Sequence, residues 1–93
     1  MNRKTKIEKI INERFQPYFF FVNDVSEQHR GHQSFKENVE SHFELIIVSQ
    51  KFDNKNRILR HRMINEGLHK EFLTDLHSVS IKAYTIDEYK KIS

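Results

Sequence analysis

The segment HFELIIVS, residues 42–49, is the part of the chain that decides the fold. Phe43, Leu45 and Ile47 recur at every second position. Because successive side chains of a β-strand point to opposite faces, this alternation predicts a strand with one face on a hydrophobic core. The fold class then depends on the elements that flank this strand on each side.

The next segment towards the N-terminus is an apolar run rich in aromatic residues, YFFFVND (18–24). A short and nearly continuous apolar run is typical of a buried strand. Before it, TKIEKIINERF (5–15) carries apolar residues at helical spacing, namely Ile7, Ile10, Ile11 and Phe15. Thr5 and Glu8 have the spacing of a capping box and Pro17 cannot continue a helix, so we predict a helix between them.

On the C-terminal side, RILRHRMINEGLHKEFL (57–73) also has apolar side chains at helical spacing. Intervals of 3, 3, 4 and 4 separate Ile58, His61, Ile64, Leu68 and Phe72. A helix with such a stripe lies on a core, so we interpret His61 as a hydrogen-bonded core residue. Gly67 costs about 1 kcal/mol relative to alanine, which indicates a tight contact or a slight break at this position.

Two further elements complete the chain. HSVSIKAY (77–84) alternates again, and its apolar positions from Val79 to Ala83 are predicted to face the core. In TIDEYKKIS (85–93), Thr85 and Glu88 repeat the capping-box pattern, which predicts a short terminal helix. The predicted order is therefore α-β-β-α-β-α, an α+β fold in which helices pack on a three-stranded sheet.

Length and composition narrow the class of protein. The 93 residues are expected to form one domain, 1–93, with a modest core. The chain has no cysteine, which excludes disulfides, thiolate nucleophiles and cysteine-based zinc fingers. No segment has the length of a membrane span or the pattern of a signal peptide, so we expect a cytoplasmic protein. Because the sequence has no nucleophile motif, phosphate-binding loop or HExxH helix, we expect no enzymatic activity.

The connection between the first two predicted strands, residues 25–41, is a candidate site. Hairpin loops usually have about two to five residues, and unstructured connections longer than about 15 residues are often functional. His29 and His32 lie on either side of Gly31 and are close enough to bind one metal ion. Incidental histidines in a polar loop would produce the same pattern, so both interpretations stay open.

Among the other histidines, His77 is the strongest candidate ligand. It precedes the third strand, where a side chain is partly exposed and yet held by the backbone. His42 opens the second strand on the face opposite Phe43 and is interpreted as structural. His69 is expected on the solvated flank of its helix.

A second candidate surface is the basic segment from Lys51 to Arg62, KFDNKNRILRHR. It carries five basic residues and one aspartate, a local net charge of +4 in a chain whose net charge is +3. Such a patch is suited to phosphate groups or to an acidic protein surface. A solvated helix start has the same composition, so the pattern alone favours neither interpretation.

Several segments, in the same order along the chain, resemble the BolA family. They are FQPYFFFVND, DVSEQHRGH, ESHFELIIVSQKF, ILRHRMINEGLHKEF and LHSVSIKAYTIDEY. The most specific pieces are ESHF, VSQKF, RHRMIN and LHSVSI, and the similarity spans residues 7–89. The resemblance implies a fold related to the type II KH domain, in which the three-stranded sheet is mixed and helices pack on it.

The resemblance also implies a role in iron–sulfur biology. BolA-like proteins pair with monothiol glutaredoxins and share a [2Fe-2S] cluster, to which glutaredoxin and glutathione give sulfur. The BolA-like partner adds a histidine at the mouth of the third strand and a histidine or cysteine from the long loop. In this chain these positions are His77 and His29, with His32 as the alternative to His29. Neutral imidazole binds iron in such clusters, and we expect no metal in the isolated chain.

A second function implied by the resemblance is transcriptional regulation. The bacterial namesake of the family is linked to cell shape and stress responses through DNA binding. The phosphates of duplex DNA would then be contacted by four cations: Lys55, Arg57, Arg60 and Arg62. KH modules grip single strands with a GxxG loop, and this chain, whose two glycines are Gly31 and Gly67, has none. Single-stranded RNA binding in the KH manner is therefore disfavoured.

Overall fold

The structure, a computed structural model, describes residues 2–26, 42–74 and 76–93. Its elements in chain order are α1 (Arg3–Phe15), β1 (Phe19–Asp24), β2 (His42–Val48), a 3₁₀ turn (Gln50–Phe52), α2 (Arg57–Gly67), α3 (His69–Phe72), β3 (Ser78–Tyr84) and α4 (Ile86–Ile92). The predicted α+β fold is confirmed, with the helix predicted over 57–73 divided into α2 and α3. Within the described residues, no helix combines the length and the hydrophobicity needed to cross a bilayer.

The three strands form one mixed sheet in the order β1-β2-β3. β1 runs antiparallel to β2, with Val22 opposite Leu45, and β3 runs parallel to β2, with Leu45 opposite Ile81. A parallel pair needs a crossover connection, which here is the segment that contains α2 and α3. Because β2 is the middle strand, residues at its ends have neighbours in both flanking strands.

One face of the sheet packs against α1 and α2 to form the core. Fully buried side chains from these elements include Ile7, Ile11, Leu45, Ile47 and Leu68. The alternation predicted for β2 and the apolar face predicted for α1 are both confirmed by this burial.

The second face of the sheet is covered at one end by α4. The ring centroid of Tyr89 lies 5.4 Å from that of Phe19 and 5.9 Å from that of Tyr84. Phe21, which also lies on this face, is 48% exposed. Since His42 is the strand neighbour of the core-facing Phe43, it belongs to this second face.

Of the two capping boxes predicted at helix starts, one is confirmed and one is wrong. α4 begins with the predicted capping box, in which the Thr85 side chain accepts from the Glu88 N–H at 3.1 Å and the Glu88 carboxylate accepts from the Thr85 N–H at 2.8 Å. The capping box predicted at Thr5 is wrong. Asn2 caps α1 instead, because its Oδ1 accepts from the Thr5 N–H at 2.8 Å. Asparagine is a strong N-cap, and its earlier position lengthens the helix.

The break between α2 and α3 follows Gly67, the last residue of α2. A Cβ atom at Gly67 would lie 2.8 Å from Cδ of Arg14, so the glycine permits a close approach of this side chain of α1. Both features that the sequence indicated as alternatives, a tight contact and a break, are therefore present. Leu68, which is buried, links the two helices.

The apolar stripe predicted for α2 is wrong at its first two positions. Ile58 is 71% exposed and His61 is only partly buried, whereas Ile64 is buried. α2 instead turns Arg60 towards the sheet, where its guanidinium donates to the Ala83 carbonyl at 3.1 Å. Positions 58 and 60 lie on opposite sides of a helix, so this orientation places Ile58 in solvent. The inward side of α2 runs through positions 60, 64 and 68, at intervals of four.

Candidate functional site

His77 lies at the mouth of β3, in the position predicted for an exposed but fixed ligand. It is exposed, and the strand begins at the next residue, Ser78. Ser78 pairs with His42, the first residue of β2, in the parallel register. The two strands therefore begin side by side, and both histidines lie at the same end of the sheet.

The imidazole rings of His42 and His77 are in contact. Their centroids are 5.8 Å apart and their planes are inclined by 30°, a stacked arrangement. This separation lies within the range that aromatic pairs favour. His42 is 5% exposed, whereas His77 is exposed. The pair thus consists of one buried ring and one ring that a partner can reach.

The backbone of His42 is fixed by the end of β1. The His42 N–H donates to Oγ of Ser26 at 3.1 Å, and the His42 carbonyl accepts from the Val25 N–H at 2.9 Å. Ser26 is itself buried, and its N–H donates to Oδ1 of Asp24 at 2.9 Å. These bonds extend the β1–β2 pairing by one residue pair and hold the strand end on which the histidine pair sits.

The loop ligands predicted from the sequence, His29 and His32, lie outside the described residues. In the described part of the chain, no group of three or more histidine, aspartate or glutamate side chains could hold a metal ion. A metal bound at His77 therefore needs further ligands from outside the described residues, either of this chain or of another molecule. An exposed single imidazole on a fixed strand end is chemically suited to such a shared site.

Arg60 has the most extensive contacts of the four predicted phosphate-binding cations. Its Nε donates to the Lys55 carbonyl at 2.7 Å, in addition to the bond to Ala83. Its two terminal nitrogens donate to the two carboxylate oxygens of Glu88 at 2.6 and 3.2 Å. Because the Arg60 side chain is only 13% exposed, it is committed to joining α2, β3 and α4.

The other three cations remain accessible to a partner. Arg57 and Arg62 are exposed on α2, and Lys55 is half-buried just before the helix. The surface that can meet phosphates is therefore smaller than the one predicted, because Arg60 is turned inward and already paired with Glu88.

His61 lines a shallow groove on the outer side of α2, together with Arg57, Arg62, Glu66 and His69. The prediction that His61 is a core residue is wrong, because the inward positions of α2 are 60, 64 and 68. Partial burial lowers the pKa of His61 below 6.5, and the nearby positive charge of Arg57 lowers it further. Both effects favour the neutral form of the His61 ring. His69 is exposed, as predicted.

Two relationships in this region were missed by reasoning from the sequence. The contact between His42 and His77 accompanies the parallel pairing of β2 with β3. The sequence feature that indicates it is a histidine at the start of β2 and another directly before β3. The ion pair of Arg60 with Glu88 joins residues that are 28 positions apart. Its signal is the Thr85 capping box, which fixes the Glu88 carboxylate at the start of α4.

Comparison with known proteins identifies relatives over most of the chain. A sequence profile for the family described as "BolA-like protein" matches residues 11–88. The chain is 32% identical over 87 residues to the DNA-binding transcriptional regulator BolA of Vibrio cholerae, covering 94% of this chain and 78% of that protein. It is 35% identical over 89 residues to Protein BOLA1, chloroplastic, of Arabidopsis thaliana, covering 94% of this chain and 56% of that protein.

Solved structures agree with the architecture described above. The BolA domain of SufE1 from Arabidopsis thaliana superposes with a TM-score of 0.86 at 38% identity, covering 95% of this chain and 96% of that domain. BolA1 from Arabidopsis thaliana gives a TM-score of 0.85 at 34% identity, with the same coverage of 95% and 96%. The mixed sheet and its helices are thus shared with these domains.

Proposed function

The chain belongs to the BolA family, and we propose that it is a non-enzymatic adaptor that pairs with a monothiol glutaredoxin and shares a [2Fe-2S] cluster with it. In this role it takes part in iron–sulfur cluster trafficking or in iron and redox sensing, in the cytoplasm. The observation that carries the proposal is the position of His77, an exposed imidazole at a fixed strand end.

The chemistry of the chain favours a shared site over a complete one. The chain has no cysteine, so sulfur ligands have to come from glutaredoxin and glutathione. His77 is the first ligand from this chain, and His29 is the second, with His32 as the alternative. A cluster ligated in part by histidine has a higher reduction potential than one held by four thiolates. An exposed ligand is also accessible to a partner without prior unfolding of the strand.

The test is to mix the chain with a glutaredoxin that carries a [2Fe-2S] cluster and to record visible absorption and circular dichroism. We expect a changed spectrum with the native chain and with His69→Ala, which removes an exposed histidine elsewhere. His77→Ala is expected to leave the glutaredoxin spectrum unchanged. If the native chain does not alter the spectrum, or if His77→Ala alters it as the native chain does, the proposal is wrong.

A second candidate function is DNA binding in transcriptional regulation of cell shape and stress genes. It is favoured by relatives named as DNA-binding transcriptional regulators, at 32% identity in Vibrio cholerae and 34% in Escherichia coli. Arg57 and Arg62 are exposed on one helix and could neutralise DNA phosphates. Both functions are compatible, because His77 and these arginines belong to different elements.

The DNA-binding proposal is tested by titrating duplex DNA at low and moderate salt. The double variant Arg57→Gln, Arg62→Gln is expected to weaken binding and to flatten its salt dependence, since two phosphate contacts are removed. Lys9→Gln, which removes an exposed charge from α1, serves as the control. Binding that is equally weakened by both changes would reflect net charge alone and would exclude α2 as a specific contact surface.

A further inference from the structure

We infer that His42 is a positioning residue, whose buried ring holds the exposed imidazole of His77 in the orientation that a partner's metal requires. The inference rests on the proposed function, since it concerns the same ligand. It adds a supporting residue, His42, to the proposed ligands, which are His77 and a histidine of the loop. It also changes the interpretation of His42 from a structural residue of β2 to a residue that acts through His77.

The first observation is the register of the two strands. β2 and β3 are parallel, and His42 is paired with Ser78, the residue directly after His77. This pairing fixes the separation of the two backbones, because neighbouring strands lie about 5 Å apart. The pairing therefore brings the backbones at positions 42 and 77 close together, and the centroids of the two rings lie 5.8 Å apart.

The second observation is the difference in freedom between the two rings. His42 is 5% exposed, and its backbone N–H and carbonyl are both engaged, by Ser26 and Val25 respectively. A buried ring on a paired strand has few accessible rotamers. His77 is exposed and precedes the paired part of β3, so its ring would be free to rotate without a neighbouring surface.

The stack supplies that surface. The two rings form a stacked pair, with centroids 5.8 Å apart and planes inclined by 30°, so rotation of the exposed ring away from His42 loses the contact. A ligand that is already oriented loses less side-chain entropy when it binds a metal. Groups that orient a metal ligand typically change affinity by about 10- to 100-fold when they are removed. Since His77 is one ligand of a shared site, we expect about 10-fold.

The positioning role differs from a direct ligand role in what it requires of residue 42. Positioning by stacking requires a flat ring at residue 42 and no bond from its nitrogens to the metal, so phenylalanine should keep the orientation of His77. Direct ligation requires a nitrogen, so phenylalanine should be as damaging as alanine. The variants His42→Phe and His42→Ala therefore separate the two roles. Should His42→Ala fail to fold, His42→Val is the substitute, because valine suits a buried strand position.

The first measurement uses the chain without metal or partner. Side-chain couplings of His77 measured by NMR report whether its ring populates one rotamer or several. We expect one dominant rotamer in the native chain and in His42→Phe, and averaged couplings in His42→Ala, with His69 unchanged in all three. Averaged His77 couplings in the native chain, or a single rotamer retained in His42→Ala, would overturn the inference whatever the outcome of the cluster experiments.

The second measurement titrates each variant into cluster-loaded glutaredoxin and follows circular dichroism. We expect His42→Phe to bind within about twofold of the native chain and His42→Ala to bind about 10-fold more weakly. Loss of the spectral change in His42→Phe would overturn the inference in favour of direct ligation. If the native chain produces no spectral change, the proposed function fails, while the NMR experiment still decides whether His42 positions His77.

Discussion

Arg60 and Glu88 form a two-pronged ion pair, with nitrogen–oxygen distances of 2.6 and 3.2 Å, that joins α2 to α4. The same guanidinium donates to the carbonyls of Lys55 and Ala83, so one side chain connects the start of α2, the end of β3 and the first turn of α4. This contact explains why α2 lies with Ile58 outward. It also separates the arginines of α2 into a structural one and two exposed ones.

Arg60→Ala is expected to destabilise the fold by about 2 kcal/mol, because several hydrogen bonds to a charged and largely buried group are lost together. Arg62→Ala, at an exposed position of the same helix, is expected to change stability by less than about 0.5 kcal/mol. Urea unfolding of both variants measures the difference. If both variants lose the same stability, the hydrogen bonds and the ion pair of Arg60 make no net contribution to the free energy of unfolding.

The ion pair also predicts a dependence of stability on pH. Hydrogen bonding to Arg60, and secondly to the Thr85 backbone, lowers the pKa of Glu88 from 4.5 to about 2. Because the folded-state pKa is the lower one, the contribution of Glu88 is complete above pH 4.5 and is lost as the pH falls towards 2. The Glu88 side chain is 47% exposed, so solvent screening limits this contribution to about 1 kcal/mol.

The measurement compares the native chain with Glu88→Gln by urea unfolding at a series of pH values. The stability difference between the two should be greatest above pH 5 and should shrink as the solution is acidified. A difference that stays constant between pH 6 and pH 2 would contradict the assignment of this pKa shift to Glu88.

Ser49 is a second connection for which the structure predicts a clear effect. It is fully buried, its hydroxyl donates to the Phe15 carbonyl at 2.6 Å, and it accepts from the Lys51 N–H at 3.0 Å. Ser49→Ala removes both bonds and is expected to cost about 2 kcal/mol. Ser80→Ala, at an exposed position of β3, is the control. Thermal unfolding of the two variants at matched protein concentration tests this expectation.

The pKa of His61 can be measured directly by an NMR titration of its ring protons. It should lie below 6.5, because partial burial and then Arg57 disfavour the protonated form. Arg57→Gln should raise it only in part, since burial remains. The unfolded chain binds this proton more readily, so acidification below pH 6.5 reduces the contribution of His61 to stability. A His61 pKa that is unchanged in Arg57→Gln would exclude the charge effect.

Periodicity predicted the strands and most of the helical faces, because burial of one face imposes its pattern on the residues themselves. The alternation of Phe43, Leu45 and Ile47 is an example that the structure confirms. The start of α1 was missed because Asn2 and Thr5 are both acceptable caps, and only the backbone geometry selects Asn2. Local patterns thus identify elements better than they identify element ends.

The orientation of α2 could not be obtained from its own sequence. Apolar spacing predicted an inward stripe through Ile58 and His61, whereas in the structure the inward side of the helix carries Arg60. Glu88, which belongs to another helix, pairs with Arg60 and favours this orientation. A long-range ion pair thus contributes to which side of α2 faces the sheet, and the predictions for Ile58 and His61 failed for that reason.

At the candidate site, the sequence predicted the position of His77 but not the side chain that lies next to it. The position of His77 at a strand mouth was visible in the sequence. The ring of His42 beneath it became visible only with the parallel register of β2 and β3, because alternation within one strand says nothing about the neighbouring strand. The position of His29 and His32 relative to this pair lies outside the described residues.

The most direct test of the central claim is pulsed EPR of the reduced [2Fe-2S] complex between glutaredoxin and this chain, prepared with ¹⁵N-labelled histidine in this chain only. Our account predicts a strong ¹⁵N coupling that is weakened or lost in His77→Ala and unchanged in His69→Ala. A complex that forms without any strongly coupled nitrogen from this chain, or whose coupling survives unchanged in His77→Ala, would contradict the assignment of His77 as a cluster ligand.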